Sequence, residues 1–466
     1  MPTKTLQDFQ IKDLAFYMNH PRCANLSDPG ARKTGSVCVY IEYLWTRKQT
    51  KSYFVMPKSL MKKNKREILE FTNLTEDQVM IIDGDKGQRA LQMQDKKAVV
   101  FLMGFRRFAD DWKTLRNLHP EMGSVLVDEW HMGFKSMTSQ QTKAMIDCMR
   151  VVPLLVGMSG SLIDGRLDSA YPLIHLIEPR YYTNLWAFRA QHTVVDIYGN
   201  VTSWINHAKL GRIFQTHCVR HTFAEVHGAA NIAPYHMELC EMAESQRAAY
   251  KEFEDTAILE LEDKFLEGFN PAVASMRCRQ IMQHPETFGI LKPGELTGKD
   301  ESLLVHLEDH KNKGTPVLIY AVFIPEQERL FELVRKLGFK AGIINANVST
   351  KKRDEYDLAF QRGELDVLIA SPATAGVGYN WTHVDHIIFT SLDYQDTNLK
   401  QAIMRAVRGT RTTPLRVTIL EYENSLDQRI FFIVNRKSAD ANKVDNTYEK
   451  LDIGVKDGPA GSLILP

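Results

Sequence analysis

A run of branched apolar residues that stops in two acids, VLVDEWH from Val125 to His131, constrains this chain more than any other stretch. The run is of strand type, and Asp128 and Glu129 would leave the sheet at its carboxyl end, where open α/β sheets bind ligands. One carboxylate there can hold Mg²⁺ through its waters. The next can orient or deprotonate the water that attacks a γ-phosphate. Strands also end in solvated acids with no such role, so the pair takes its meaning from the rest of the chain.

That context is a repeated pattern. KSYFVM, QVMIID, KAVVFLM and PLLVGM are short apolar runs alternating with helical stretches, which predicts a mostly parallel sheet across residues 1 to about 210. Before them, Asp28-Pro29-Gly30 turns into Lys33-Thr34 and an apolar helix. A phosphate loop needs inward amides at a helix start, a Lys for the β/γ-phosphates and a hydroxyl for Mg²⁺. Gly30, Lys33 and Thr34 supply these parts. Arg32 stands where that pattern has Gly; at positive φ it would cost about 1–2 kcal/mol, although its guanidinium could itself contact phosphate. Further on, Lys62, Lys63, Lys65 and Arg66 form a basic helical face, a solvated surface or a grip on a phosphate backbone. PLLVGM runs into Ser159-Gly160-Ser161.

Composition narrows the partners. Lys plus Arg (58) nearly balance Asp plus Glu (57), so a polyanion would be held by local clusters of charge. Cysteines 23, 38, 148, 218, 240 and 278 form no CxxC pair, which argues against a disulfide framework or structural zinc. No apolar run approaches the roughly 18 residues of a membrane span, and residues 1–20 lack the apolar core of a signal peptide. The expectation is a cytoplasmic protein, nuclear if its source is eukaryotic, with no membrane partner.

Residues 211–300 change to long polar helical stretches, and a second α/β pattern follows. KGTPVLIYAVF, AGIINA, LDVLIA and HIIFTSLDY read as strands, and PEQERLFELVRKLGF as an amphipathic helix. In TNLKQAIMRAVRGTR, Gln401, Arg405 and Arg408 fall at i, i+4 and i+7 on one helical side. That side is either a solvated face or a source of guanidinium groups for a transferring phosphoryl group.

In order and spacing, Gln10, the Gly30/Lys33/Thr34 loop, Pro57-Lys58-Ser59-Leu60, Asp128-Glu129-Trp130-His131 and Ser159-Gly160-Ser161 resemble the successive motifs of a superfamily-two helicase core. CVRHTFAEV, Gln246 to Tyr250, His284-Pro285, Gly376/Gly378/Asn380 and Gln401/Arg405/Arg408 extend the resemblance, specifically to Swi/Snf-type DNA translocases, across roughly residues 5 to 432. The resemblance implies an α/β fold of two tandem RecA-like lobes with parallel sheets and a helical insertion between them. The expected division is 1–210, an N-terminal ATP-binding lobe; 211–300, a helical protrusion and linker; 301–440, a C-terminal lobe; and 441–466, a polar tail.

It also implies a site for ATP and Mg²⁺. Gln10 would read adenine; Gly30, Ala31, Arg32 and Lys33 would cradle the phosphates; Thr34 and Asp128 would take Mg²⁺; and Glu129 would handle the attacking water. From the second lobe, Gly376, Gly378, Gln401, Arg405 and Arg408 would complete the site. Ser59, Lys62, Lys63 and Thr374 would hold the phosphates of a nucleic-acid strand, with His131, Ser159 and Ser161 coupling grip to ATP state. The chain departs from the family at Arg32, at Trp130 in the third position of the DEAH-like box, at Asn64 in place of a frequent Trp, and at Leu162 in place of a frequent Pro.

The expected activity is DNA-dependent ATP hydrolysis with translocation on duplex or forked DNA, by a monomer, in replication, recombination or repair alongside proteins of those processes. The compact form suits a bacterial or viral enzyme. Two alternatives stay open: a nucleotide-gated DNA-binding or loading protein with weak ATPase because of Arg32, and an RNA helicase.

Overall fold

The computed structural model describes residues 2–434 except 161, 164, 165, 199, 200, 229, 262, 263, 269, 293, 376–378, 408–410 and 412. Ser161, Gly376, Gly378, Arg408 and the expected tail therefore lie outside the described residues. By their contacts the described residues fall into two compact units, divided between Ala229 and Ala230.

In the first unit, β1 (Arg22–Asn25), β2 (Lys51–Val55), β3 (Val79–Ile82), β4 (Val100–Met103), β5 (Met122–Val127) and β6 (Leu154–Met158) alternate with helices. A small hairpin, β7 (Thr193–Val195) with β8 (Val201–Trp204), and a short β9 (Cys218–Val219) follow. The sheet order is β3-β4-β2-β5-β6-β1-β9, and every neighbouring pair is parallel. The inner strands are covered by helices on both faces, which is why KSYFV and VFLM read as unbroken buried runs. Tyr53, Phe101, Phe108, Trp130 and Phe134 fill the core around them.

Trp130 is wholly buried, its ring 4.9 Å from that of Phe134. A Cβ on Gly157 would stand 3.1 Å from the Trp130 ring, so this glycine makes room for the indole. Leu162 is buried in the same core. Two of the departures from the helicase pattern are thus packing residues.

The second unit holds β10 (His236–Cys240), the antiparallel hairpin β11 (Ile258–Leu261) with β12 (Lys264–Glu267), and then β13 (Val317–Tyr320), β14 (Ala341–Ile344), β15 (Val367–Ala370), β16 (His386–Phe389) and β17 (Arg416–Tyr422). Its sheet is again all parallel, in the order β10-β17-β16-β13-β15-β14. The expected pair of parallel-sheet α/β lobes is present.

The insertion between them contains the helices Glu244–Thr256 and Pro271–Gln283. Tyr250, Phe253, Ile281 and Met282 from those helices share one core cluster with Leu307, Ile319 and Leu420 of the second unit. The flanks of the insertion are strands: β9 extends the first sheet and β10 the second. Polar helical periodicity masked both, because β9 is two residues long and β10 is a half-exposed edge.

Two buried histidines should make the second unit sensitive to acid. Burial, with Arg329 adding to it, lowers the His284 pKa to about 4, and burial ahead of Arg416 lowers that of His386 to about 2. Both folded values lie below the unfolded value near 6.5, so the neutral rings contribute stability that is complete above about pH 6.5 and is lost as pH falls. For His284 alone the loss by pH 4 is on the order of 3 kcal/mol. Denaturant unfolding at pH 7.5, 6 and 5 should give falling midpoints. The stability advantage over His284→Phe should narrow with each step; parallel curves for the two proteins would remove the histidine from the explanation.

Candidate nucleotide site of the first unit

Because the first sheet is parallel throughout, the loops after β1, β5 and β6 all emerge at one edge, the carboxyl edge. β6 lies between β1 and β5, so the Ser159 loop stands between the phosphate loop and the acid pair. Backbone bonds fix this order: Ser159 N–H donates to the Asn25 carbonyl at 3.1 Å, and Asp128 N–H to the Val55 carbonyl at 2.8 Å. Gly160 is required by the close approach, since a Cβ there would lie 2.8 Å from the Pro29 ring and 2.9 Å from its backbone nitrogen.

The candidate phosphate loop turns through two left-handed positions. Gly30 has φ +83°, Ala31 is buried, and Arg32 has φ +54°. The helix Lys33–Lys48 begins directly after Arg32 with no side chain capping it. Its first amides therefore face the loop without an internal partner, the arrangement that receives phosphate. Lys33 Nζ donates to the carbonyls of Ser27 at 2.8 Å and Asp28 at 3.0 Å. Phosphate oxygens offer that ammonium a charge-assisted alternative. Gln10 is buried behind the loop, its Oε1 accepting from Gln7 N–H at 2.9 Å and its Nε2 donating to the Arg32 carbonyl at 2.8 Å.

Arg32 occupies the left-handed conformation that the sequence made conditional. Arg32→Gly should relieve about 1–2 kcal/mol of backbone strain, offset by about 0.4–1 kcal/mol of added unfolded-state freedom. The melting midpoint should accordingly hold or rise slightly. ATP turnover should change less than about tenfold, one guanidinium–phosphate contact being the most that is lost. Turnover that appeared only in Arg32→Gly would instead favour the binding-protein alternative.

Asp128 is buried, and both its oxygens are held: Oδ1 accepts Glu129 N–H at 3.0 Å and Oδ2 accepts Asn64 Nδ2 at 3.1 Å. Burial first, and the Glu129 charge second, raise its pKa, while Asn64, Lys33 and Lys63 act in the opposite direction. Glu129 takes the left-handed conformation, φ +53°, and its Oε2 is buried without a hydrogen bond. His131 Nδ1 stands 3.5 Å from that oxygen and shares a 2.9 Å hydrogen bond with Ser159 Oγ. The structure thus joins Glu129, His131 and Ser159, three residues whose link the sequence could only suggest.

Among the described residues no cluster of three or more His, Cys, Asp or Glu could hold a metal. Mg²⁺ is satisfied by one or two protein oxygens when substrate phosphates supply the rest. The all-oxygen character of Thr34 and Asp128, and a crowded carboxylate pair that a cation would relieve, fit that ion.

Two groups escaped the sequence reading. The loop after β9 latches onto the phosphate loop: Phe223 N–H donates to Asp28 Oδ2 at 2.9 Å, His227 Nε2 lies 3.1 Å from the Gly30 carbonyl, and His221 Nε2 lies 2.7 Å from Asp13 Oδ1. The signal was the apolar pair in CVRHTFAEV, too short to mark a strand. A cleft of about 600 Å³ opens at the carboxyl ends of β2, β3 and β4, with Lys58, Arg106, Arg107 and Lys135 around Met56 and Phe105. Arg106 and Arg107 lie in the first turn of the helix Phe105–Leu118, which opens just after the KAVVFLM strand. Ser59 and Lys62 are exposed and Lys63 is half-buried beside this cleft's Met61.

In the second unit Gln401 closes the helix Asp396–Ile403, but that helix ends before Arg405. Between Gln401 and Arg405 the helix gives way to a tightened turn: the Arg405 carbonyl accepts Trp381 N–H at 2.9 Å, and Arg405 N–H bonds the Ala402 carbonyl; Arg408 lies outside the described residues. Thr374 lies on the short helix Pro372–Ala375, half-buried.

Comparison with known proteins identifies the two halves. The SNF2-related domain matches residues 17–287 and the helicase conserved C-terminal domain matches residues 298–410. Chromodomain-helicase-DNA-binding protein 1-like from Danio rerio is 23% identical over 376 residues, covering 76% of this chain and 35% of that protein. Its Mus musculus counterpart is 24% identical over 473 residues, covering 95% of this chain and 50% of that one. The chain thus spans between about a third and a half of the length of these relatives. The Sulfolobus solfataricus SWI2/SNF2 ATPase core in complex with dsDNA aligns with TM-score 0.43 and 16% identity, over 96% of this chain and 94% of that one. With more than half of its length matched by the SNF2-related domain and a helicase C-terminal domain following, the chain belongs to the SNF2-related, Swi/Snf-type helicase family.

Proposed function

We propose that the protein is a DNA-stimulated ATPase that moves along duplex or forked DNA. The observation that carries this reading is the order β1-β6-β5, which lines up the uncapped phosphate loop, the Ser159–His131 pair and the Asp128–Glu129 acids along one sheet edge. Lys33 and the amides opening its helix bind the β- and γ-phosphates. Gln10 meets the adenine end, and the buried Glu129 oxygen accepts a proton from the attacking water. Thr34 and Asp128 would hold Mg²⁺, which would supply charge neutralisation to the phosphates.

His131 joins Glu129 to Ser159, so phosphate occupancy is relayed to the β6 loop. Ser59, Lys62, Lys63 and Thr374, with Arg106, Arg107 and Lys135, hold the track by its phosphates, contacts that read backbone and not sequence. Relatives whose names carry DNA binding and helicase activity support DNA as the track.

A second reading, a nucleotide-gated DNA-binding protein with little turnover, is favoured by one observation only: the strained Arg32 in the phosphate loop. ATP hydrolysis measured without polymer and with duplex, forked and single-stranded DNA and RNA separates the readings. Strong stimulation by duplex or forked DNA is expected. Stimulation by RNA alone would make this an RNA helicase, and none by any polymer would favour the binding protein.

A further inference from the structure

Asn64 occupies a position where the Swi/Snf-type pattern frequently has Trp, and it lies on the helix Met61–Phe71 directly after Lys62 and Lys63. Its side chain is 1% exposed. Nδ2 donates to Asp128 Oδ2 at 3.1 Å and lies 3.2 Å from Met56 Sδ, the residue after β2. The partner oxygen, Oδ1, is held by Glu129 N–H at 3.0 Å. With a donor at each oxygen, the carboxylate plane has a single orientation. Tryptophan carries a single donor, at the far side of a much larger ring.

The same helix turns Lys62 outward, and Lys63 is close enough for its charge to act on Asp128. A short rigid element therefore runs from the basic surface to the acid pair, with Asn64 as its inner end.

We infer that Asn64 is a positioning residue that holds Asp128 ready for a divalent cation and transmits contact between DNA and the Lys62–Lys63 surface to that cation site. The inference rests on the ATPase reading above and adds a route by which the track regulates the nucleotide site within one lobe. DNA phosphates that engage Lys62 and Lys63 steady the Met61–Phe71 helix. Asn64 moves with that helix, so the bond that orients Asp128 is held more firmly. Hydrogen-bonded partners of ligating carboxylates alter metal affinity by about 10–100-fold when removed.

The test measures binding without turnover. A fluorescent, non-hydrolysable ATP analogue is titrated with Mg²⁺ on the full chain, with and without saturating duplex DNA, for the wild type, Asn64→Leu and Asn64→Asp. In the wild type, DNA should lower the Mg²⁺ concentration for half-saturation several-fold. Asn64→Leu, which has the same volume class and no donor, should raise that concentration roughly tenfold or more and abolish the shift by DNA. Asn64→Asp should likewise abolish the shift by DNA, because it replaces the donor to Asp128 with a second carboxylate. Analogue affinity in EDTA should be unchanged, since the phosphate loop is intact; this also reports that the variants are folded.

Wild-type and variant Mg²⁺ curves within twofold of each other would overturn the inference while leaving the ATPase reading in place. Should both variants fail to fold, the wild-type arm decides: an Mg²⁺ curve indifferent to DNA overturns the coupling. Failure of the wild type to bind the analogue at any Mg²⁺ concentration would instead overturn the ATPase reading itself.

Discussion

Glu129→Gln is expected to lower DNA-stimulated ATP turnover by about 10²–10⁴-fold, the usual contribution of a positioned general base, while ATP still binds. Gln has the shape of Glu and keeps one acceptor oxygen but cannot take a proton at neutral pH. The buried Oε2, within 3.5 Å of His131 Nδ1 and free of any hydrogen bond, is the atom whose chemistry is removed. The left-handed backbone at φ +53° is common to both side chains, so folding should be unaffected. Steady-state hydrolysis with duplex DNA, beside equilibrium binding of labelled ATP, separates the two effects. Lys33→Ala supplies the contrast: it should lose both turnover and binding, since it removes the cation that meets the phosphates. Turnover of Glu129→Gln within about tenfold of the wild type would transfer the base role to another group.

The largest stability effect is expected in the second unit. Lys299 and Asp427 are 4% and 6% exposed at their side chains, and Lys299 Nζ lies 2.6 Å from Asp427 Oδ2. The same ammonium donates to the Thr390 carbonyl at 2.6 Å and to Gln283 Oε1 at 3.3 Å. This contact ties the end of the inserted helix Pro271–Gln283 to the loop after β16 and to the segment following β17. Lys299→Met leaves the Asp427 carboxylate buried without its cation, which costs about 3–5 kcal/mol. Asp427→Leu should cost a similar amount. The double replacement should recover much of the loss, because two apolar side chains of comparable volume need no hydration. Denaturant unfolding of the four proteins closes the cycle. A double variant as unstable as the sum of the singles would assign the effect to packing.

Much of the fold was legible because a parallel sheet covered on both faces writes itself as unbroken apolar runs; KAVVFLM and VLV could be little else. The candidate site was read from the same runs, since Asp128, Ser159 and the loop before Lys33 each stand at a strand end. What escaped had weaker local signals. β9 is two residues long and is held by its pairing with Ala24 and Asn25, distant in sequence. The tight turn at Arg405 is set by Trp381, whose N–H claims the carbonyl that a longer helix would have used internally. Asn64 read as a mere departure because its meaning depends on Asp128, a residue brought near only by the crossing from β2 to β5. Trp130 was unusual as chemistry and ordinary as packing; only Gly157 across from it tells which.

The neighbours of β1 also carry a cost in time. β1 pairs only with β6 and β9, and the Arg22–Leu155 register joins positions about 130 residues apart. At roughly 5–20 residues per second of synthesis, the strand that leads into the phosphate loop leaves the ribosome many seconds before its first partner exists. Cys23 and Ala24, both fully buried in the finished sheet, spend that interval exposed. Contacts of such high sequence separation form late and slowly. The edge that carries the candidate nucleotide site is therefore expected to be the last part of the first lobe to close during biosynthesis.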